Sequence, residues 1–217
     1  MFLNVTLNLL GGFSKNVFLF FITLIGSLPL GMIIAFGEIS KNVIIRKISR
    51  FYVWIIRGLP LMLILYIVLY TPGLVFGMPF RQRMIAAVIG FVINYSAYFA
   101  EIFKGGLENI PVGQREAGKV LGLSKIQIFL HIELFQLIHI TIAPLGNQVI
   151  GLIKNTSLAR IIAVSEMMME VTTYTTNGLI WPLFYTGAFF LTAVYLLTIF
   201  FRKLERRFDN ACGKQIN

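Results

Sequence analysis

Asn94, Ser96, Tyr98 and Glu101 stand within one long apolar run of the sequence, and Asn147 and Gln148 within another. Amides, hydroxyls and a lone carboxylate offer hydrogen bonds and charge rather than covalent chemistry. No serine or threonine accompanies them in a nucleophile motif. His131 and His139 are eight residues apart, which is not the i,i+4 spacing of a ligand pair on one helix face. The single cysteine, Cys212, lies in the C-terminal tail, where it forms neither an internal disulfide nor a thiolate cluster. The run Met167, Met168, Met169 suits a packed or interfacial helix better than a soft-metal site. A membrane enzyme would need a nucleophile or paired carboxylates at depth, and only Glu101 is near the interior of an apolar run. Polar groups are costly in lipid, so these six side chains either line a polar path or hydrogen-bond between helices.

The elements that must position them are apolar helices. The 217 residues are 57% hydrophobic and only 13% charged, against about a quarter charged in a soluble domain. Apolar stretches at about 17–36, 52–70, 84–103, 134–153 and 179–201 approach the roughly 20 residues that cross a bilayer. The chain reads as one all-α integral membrane domain, residues 1–217, with five transmembrane helices. Residues 1–12 read as an interfacial lead-in. Arg57 and Gly58 interrupt the second span early and mark its membrane edge, and Pro72 and Gly73 end it. The fourth span is polar enough that it should face protein or water. Residues 155–171 after it read as a short amphipathic helix that dips into the membrane.

The formal charge of +10 does not indicate nucleic acid, because the basic residues fall in the gaps between apolar runs rather than on a soluble face. Five spans divide those gaps into two sets. One holds Lys41, Arg46, Lys47, Arg50, Arg57, Lys104, Arg115, Lys119, Lys125, Arg202, Lys203, Arg206, Arg207 and Lys214. The other holds Lys15, Arg81, Arg83, Lys154 and Arg160. The positive-inside rule makes the larger set cytoplasmic, with the N-terminus outside and the C-terminus inside.

One cytoplasmic gap, residues 111–134, is too carefully punctuated for a simple connection. Pro111 suits a first helical turn, Gly122 suits a left-handed stop, and Ser124 with Gln127 makes a capping box flanked by a Leu123/Ile128 staple. The segment encodes helix, sharp turn, helix. Ala117 and Gly118 leave room for close approach by another protein, and Glu116 stands beside them as one directed charge. An amphipathic hairpin lying on the membrane surface is the alternative.

The order Glu116-Ala117-Gly118, Gly122, Ile132, Leu134 resembles the "EAA" loop of bacterial ABC importer permeases. "RGLPL" at 57–61, "AYFAEIFKGGLENIPVGQ" at 97–114, "KNTSLA" at 154–159 and "LERRF" at 204–208 resemble the permeases for polar amino acids (the histidine, glutamine and arginine type), over roughly residues 11–208. Four positions depart from the pattern. Gly118 stands for the second alanine, Phe135 for a proline, Leu59 for a hydroxyl residue and Asn155 for an acid. With Phe135, the second helix of the hairpin is free to continue into the fourth span.

The resemblance implies a type I ABC importer permease, with a cytoplasmic coupling hairpin between spans three and four, in the bacterial cytoplasmic membrane. It implies a second permease subunit, the same or homologous, an ABC ATPase subunit, an extracytoplasmic substrate-binding protein and a polar amino acid as cargo, all in a lipid setting. ATP and Mg would be held by the ATPase; this chain has no G-x-x-x-x-G-K-[ST] loop and is expected to carry no cofactor and no enzymatic site of its own. Glu116, Ala117, Gly118, Val120, Leu121 and Gly122 would contact the ATPase, with Ile126 and Phe129 filling its cleft or fastening the hairpin to the spans. Asn94, Ser96, Tyr98, Asn147 and Gln148 would offer hydrogen bonds to a zwitterionic substrate, and Glu101 would be a structural or gate charge. A secondary transporter or channel is the other reading; it would show an inverted repeat or a mid-membrane charge and leaves the hairpin unexplained.

Overall fold

The structure, a computed structural model, describes residues 2–213, with side chains followed to Asn210. Cys212 and Lys214, used above, lie outside the described side chains. Helix α1, Phe2–Glu38, is about 55 Å long at 1.5 Å per residue. The interfacial lead-in expected over residues 1–12 is thereby corrected, because from Phe2 onward those residues belong to α1. Tertiary contacts hold them there: Val5 and Leu9 are buried with Met167 and Val171, and Phe2 stacks on Trp181 at 5.0 Å. Gly12 lies flat against the backbone of Met167, where a Cβ would come within 2.8 Å of Met167 Cα.

The second expected span is also corrected. It is two helices, α2 (Val43–Gly58) and α3 (Leu61–Phe76), meeting at 108°. Pro60 explains the break, since it has no N–H to donate and pushes Leu59 into the extended region at φ −101°, ψ 139°. Asn42 caps α2 by accepting from the Ile44 and Ile45 amides. Helix α3 runs past Pro72 and Gly73, where a stop was expected, to end one turn later. There Gly77, at φ +68°, lets its own N–H donate to Gly73 O and the Met78 N–H donate to Pro72 O.

Helix α4, Arg83–Glu108, is the hub and contains the third expected span. It packs along α1 and also meets α2, α3 and the fourth-span helix. Its buried Phe91, Tyr95 and Phe99 lie at the heart of the main core. After α4 come α5 (Val112–Val120), α6 (Lys125–Ile128), one π-helical turn (Phe129–Glu133) and α7 (Leu134–Asn155). A 3-10 turn, Thr156–Ile162, then ends at Ala163, which sits in the left-handed region at φ 55°. The dipping helix expected over 155–171 is therefore divided; only its last part enters α8, Met167–Thr176, too short to cross a membrane. Helix α9, Trp181–Gly213, closes the chain.

Among the described residues four helical runs are long and apolar enough to span a bilayer, and the bent α2–α3 pair makes a fifth. The five-span architecture stands, with its second member broken.

Candidate coupling segment and polar path

The punctuation read in the sequence produces a rigid hairpin. Pro111 precedes α5 as its N-cap residue, and Gly122, at φ +74°, turns the chain after Val120 and Leu121. Ser124 accepts from the Gln127 amide at 3.3 Å while the Gln127 side chain accepts from the Ser124 amide at 2.8 Å, completing the capping box. With Phe135 in place of a proline, nothing interrupts the backbone, and helix runs from Lys125 through the π turn into α7.

Two anchors hold the hairpin to the bundle. Arg115 on α5 pairs with the largely buried Glu133 of the π turn, and its other nitrogen donates to Leu107 O of α4 at 3.3 Å. Phe129 meets Phe36 of α1 edge to face at 5.1 Å, so it fastens the segment rather than pointing outward. Val120, Leu121 and Ile126 do point outward, at 88%, 76% and 72% exposure. Glu116 and Ala117 are exposed beside them.

Gly118 requires a correction. It was expected to admit another protein, but it is buried inside the hairpin itself, where a Cβ would lie 2.9 Å from Ile128 and 3.0 Å from Ile132. The close approach that glycine permits is intramolecular, drawing α5 onto the helix that follows.

The six polar residues do not form one cluster. Asn94 and Ser96 are buried on α4, and Ser96 hydrogen-bonds Tyr52 of α2 at 2.8 Å and donates to Ile93 O. Tyr98 lies under Arg57, whose guanidinium carbon is 5.7 Å from the ring centre, and Arg57 donates to Glu101 at 2.7 Å. Asn147 is exposed and Gln148 half-buried on α7, and among the described residues no hydrogen bond joins them to the α4 group. Arg57, expected at a membrane edge, is thus the partner of an acid on α4.

The sequence reading missed a second polar centre. Asn16 of α1 donates to Thr156 Oγ1 and to Glu166 Oε2, both at 3.0 Å, and accepts from the Met167 amide at 3.1 Å. Glu166 also caps α8 by accepting from the Met168 and Met169 amides, each at 2.9 Å. With only nine acidic residues in the chain, a carboxylate just after an apolar run was the available signal. Tyr95 and Asn155 join α4 to the end of α7 in the same way, at 2.9 Å.

Burial pushes the Glu166 carboxyl above its ordinary value of 4.5, and the surrounding donors only partly offset this. A raised carboxyl binds more protons folded than unfolded, so its contribution to stability declines as pH rises from 4.5 through the raised value. Melting of the detergent-solubilised protein should therefore gain stability on acidification across that window. Glu166→Gln should flatten this gain while costing about 1–3 kcal/mol at neutral pH, because an amide cannot accept from all three donors. An unchanged pH slope in the variant would assign the dependence to another group.

Comparison with known proteins places the chain in a family. Residues 27–210 match the family model described as the inner membrane component of binding-protein-dependent transport systems. The chain is 33% identical over 185 residues to the "Probable amino-acid permease protein YxeN" of Bacillus subtilis (strain 168), covering 85% of this chain and 82% of that one. It is 32% identical over 209 residues to the L-cystine transport system permease protein TcyB of the same strain, covering 94% and 88%. In fold it is similar to a chain of a crystallised amino acid ABC transporter, with a TM-score of 0.82 at 24% identity over 95% of this chain and 96% of the other. It is similar also to a chain of the MetNI methionine ABC transporter in an inward-facing conformation, with a TM-score of 0.75 at 15% identity over 94% and 95%.

Proposed function

The chain belongs to the inner membrane components of binding-protein-dependent transport systems, and from that premise we propose that it is the permease subunit of an ATP-driven importer of polar amino acids. The observation that carries the proposal is the hairpin. A capped helix–turn–helix continuous with α7 presents Val120, Leu121 and Ile126 almost fully exposed around Glu116, the pattern of a surface that another protein covers. That partner is an ABC ATPase, which holds ATP and Mg; this chain carries no enzymatic site or cofactor. Glu116 meets a basic or hydrogen-bonding group of the ATPase, Ala117 and Gly122 allow close approach, and Val120 and Leu121 enter its cleft. Gly118 serves from within by keeping α5 tight against Ile128 and Ile132.

The hairpin faces the cytoplasm with the C-terminus, and the N-terminus is outside, in keeping with the concentration of Lys and Arg on the hairpin side. The complex contains a second permease of the same or a homologous kind and receives its cargo from an extracytoplasmic binding protein. Amino acids are the cargo because the relatives carry amino-acid and cystine permease names. Asn94, Ser96, Tyr98, Asn147 and Gln148 offer hydrogen bonds along the path. The family assignment favours this reading over a secondary transporter or channel.

Affinity capture of the detergent-solubilised protein with its ATPase tests the proposal. The wild type should retain the ATPase. Glu116→Lys and Gly122→Trp should each weaken retention roughly tenfold, the equivalent of about 1.4 kcal/mol. Failure of the wild type to retain any ATPase, or retention unaltered in both variants, would sink it and leave the hairpin a surface anchor.

A further inference from the structure

At the hairpin end of the bundle, the α1–α2 corner, the last turn of α4 and the start of α5 enclose a cleft of about 340 Å³. Three arginines line it, Arg46, Arg50 and Arg115, with one acid, Glu108. The volume is within the ~300–1,000 Å³ of small-molecule sites. Arg115 is paired with Glu133 and donates to Leu107 O at 3.3 Å. Arg46 is half-buried and donates through one nitrogen to a neutral partner, Ser40 O, at 2.8 Å. Arg50 is exposed. Among the described residues no carboxylate lies within 4 Å of Arg46 or Arg50, and no base within 4 Å of Glu108. Arg50 also lines the neighbouring charged cleft of α1, α2 and α4, but the acids Glu38 and Glu101 there are held by other bases. Lys104 bridges Glu38 at 3.5 Å and Glu101 at 3.8 Å, Arg57 pairs with Glu101 at 2.7 Å, and the second oxygen of Glu38 is buried without a hydrogen-bond partner. Three guanidinium groups, less Glu108 and the Glu133 on Arg115, leave the arginine cleft one positive charge in excess.

Arg46 and Arg50 are four residues apart on α2, so they are neighbours on one helix face, with Cβ atoms about 5–6 Å apart. Like charges at that spacing repel, and an anion between them relieves the repulsion. Guanidinium groups bind phosphate oxygens in a two-pronged geometry. The level of the cleft decides which phosphate. Helix α4, from Arg83 to Glu108, extends about 39 Å against ~30 Å of bilayer hydrocarbon, so both of its charged ends stand among headgroups. Ile39, directly after α1, lines the same cleft. With Leu107, Ile110 and Val112 it makes half of the lining apolar. A hydrated free phosphate gains nothing from such a wall, whereas the glycerol and first carbons of a lipid do. We propose that this cleft binds the phosphate of an anionic membrane lipid, held between Arg46 and Arg50. The single negative charge of a phosphodiester matches the excess in the cleft, and Glu108 accepts from a headgroup hydroxyl such as those of phosphatidylglycerol. Because Arg115 lines the cleft from α5, the bound lipid lies between the α1–α2 corner and the hairpin.

Native mass spectrometry of the full chain in detergent reads the apparent Kd for the first lipid bound. The probes are phosphatidylglycerol, phosphatidylethanolamine and phosphatidylcholine with the same acyl chains. Phosphatidylglycerol should bind more tightly than either zwitterionic lipid by roughly fivefold or more. Arg50→Gln disturbs no internal contact, since Arg50 makes neither an ion pair nor a side-chain hydrogen bond among the described residues. It should weaken phosphatidylglycerol binding roughly fivefold, and Arg46→Gln/Arg50→Gln should weaken it roughly 25-fold. The control Lys203→Gln/Arg206→Gln removes the same charge from exposed positions late in α9 and should leave the Kd unchanged. An equal loss in that control overturns the proposal in favour of diffuse attraction to a basic face. Equal binding of the three lipids overturns it, as does wild-type binding by Arg50→Gln. Displacement of phosphatidylglycerol by equimolar inorganic phosphate would overturn it in favour of a free phosphate.

Discussion

Gly31→Leu should abolish the folded bundle. A Cβ at this position would lie 2.8 Å from Phe99 Cβ, 3.0 Å from Ser96 O and 3.1 Å from Ala100 N. Two of the three neighbours are backbone atoms of α4, so no rotamer change relieves the contact, and α1 must move off α4 along the most extensive helix pair in the chain. Overpacking a core ordinarily costs about 1–3 kcal/mol where side chains can adjust. Displacing a backbone exceeds that range and is a large share of the roughly 5–15 kcal/mol that holds a domain together. Gly105→Leu is the control, since Gly105 lies in α4 with nothing within 4 Å of its would-be Cβ. Size-exclusion profiles of fluorescently tagged, detergent-solubilised protein should show the monodisperse peak lost for Gly31→Leu and kept for Gly105→Leu. A normal peak for Gly31→Leu would mean that α1 and α4 are not packed in this register.

The second large effect is expected at Arg115. Its partner Glu133 is 9% exposed while Arg115 itself is 34% exposed, so the pair is sheltered on one side only. Removing one member of a fully buried pair costs about 3–5 kcal/mol. The half-open position of Arg115 brings this nearer to about 2 kcal/mol, because water reaches the carboxylate once the guanidinium is gone. That still shifts the balance between packed and detached α5 by roughly 30-fold. Arg115→Met keeps the aliphatic stem and removes the charge. Hydrogen exchange over residues 112–120 should accelerate by about that factor, and transport should fall while the α7 amides stay protected. On the proposed role of the hairpin as the coupling segment, ATP hydrolysis should persist better than transport. Exchange at the wild-type rate would show that Phe129 on Phe36 and Gly118 against Ile128 suffice to hold α5.

Both effects concern contacts between elements, above all that of α1 with α4, which is where the sequence reading was weakest. Local rules served well wherever local chemistry decides. Ser124 and Gln127 form the expected capping box because a side-chain oxygen near free amides satisfies them whatever the rest of the chain does. Gly122 turns the chain because only glycine enters the left-handed region without cost. The interfacial lead-in expected over residues 1–12 is instead the start of α1 from Phe2 onward, held by contacts such as Gly12 against the distant Met167 backbone, which no local signal reveals. Pro60 carried the information for the 108° bend, yet an apolar run on both sides disguised it as one continuous span.

The sequence by itself determined that the chain is a bundle of apolar helices, that a hairpin leaves the bundle between the third and fourth spans, and where the caps and turn of that hairpin fall. These follow from side-chain transfer energies and from hydrogen bonds made within a few residues. Only the tertiary structure decided which polar groups meet. It set Asn16 beside Thr156 and Glu166, and Arg57 over Tyr98 on Glu101. It left Glu38 half-paired in a charged cleft and turned Gly118 inward. A buried polar group must find a partner, but the chain does not say from how many residues away that partner comes. The packing of α1 and α4 settles it.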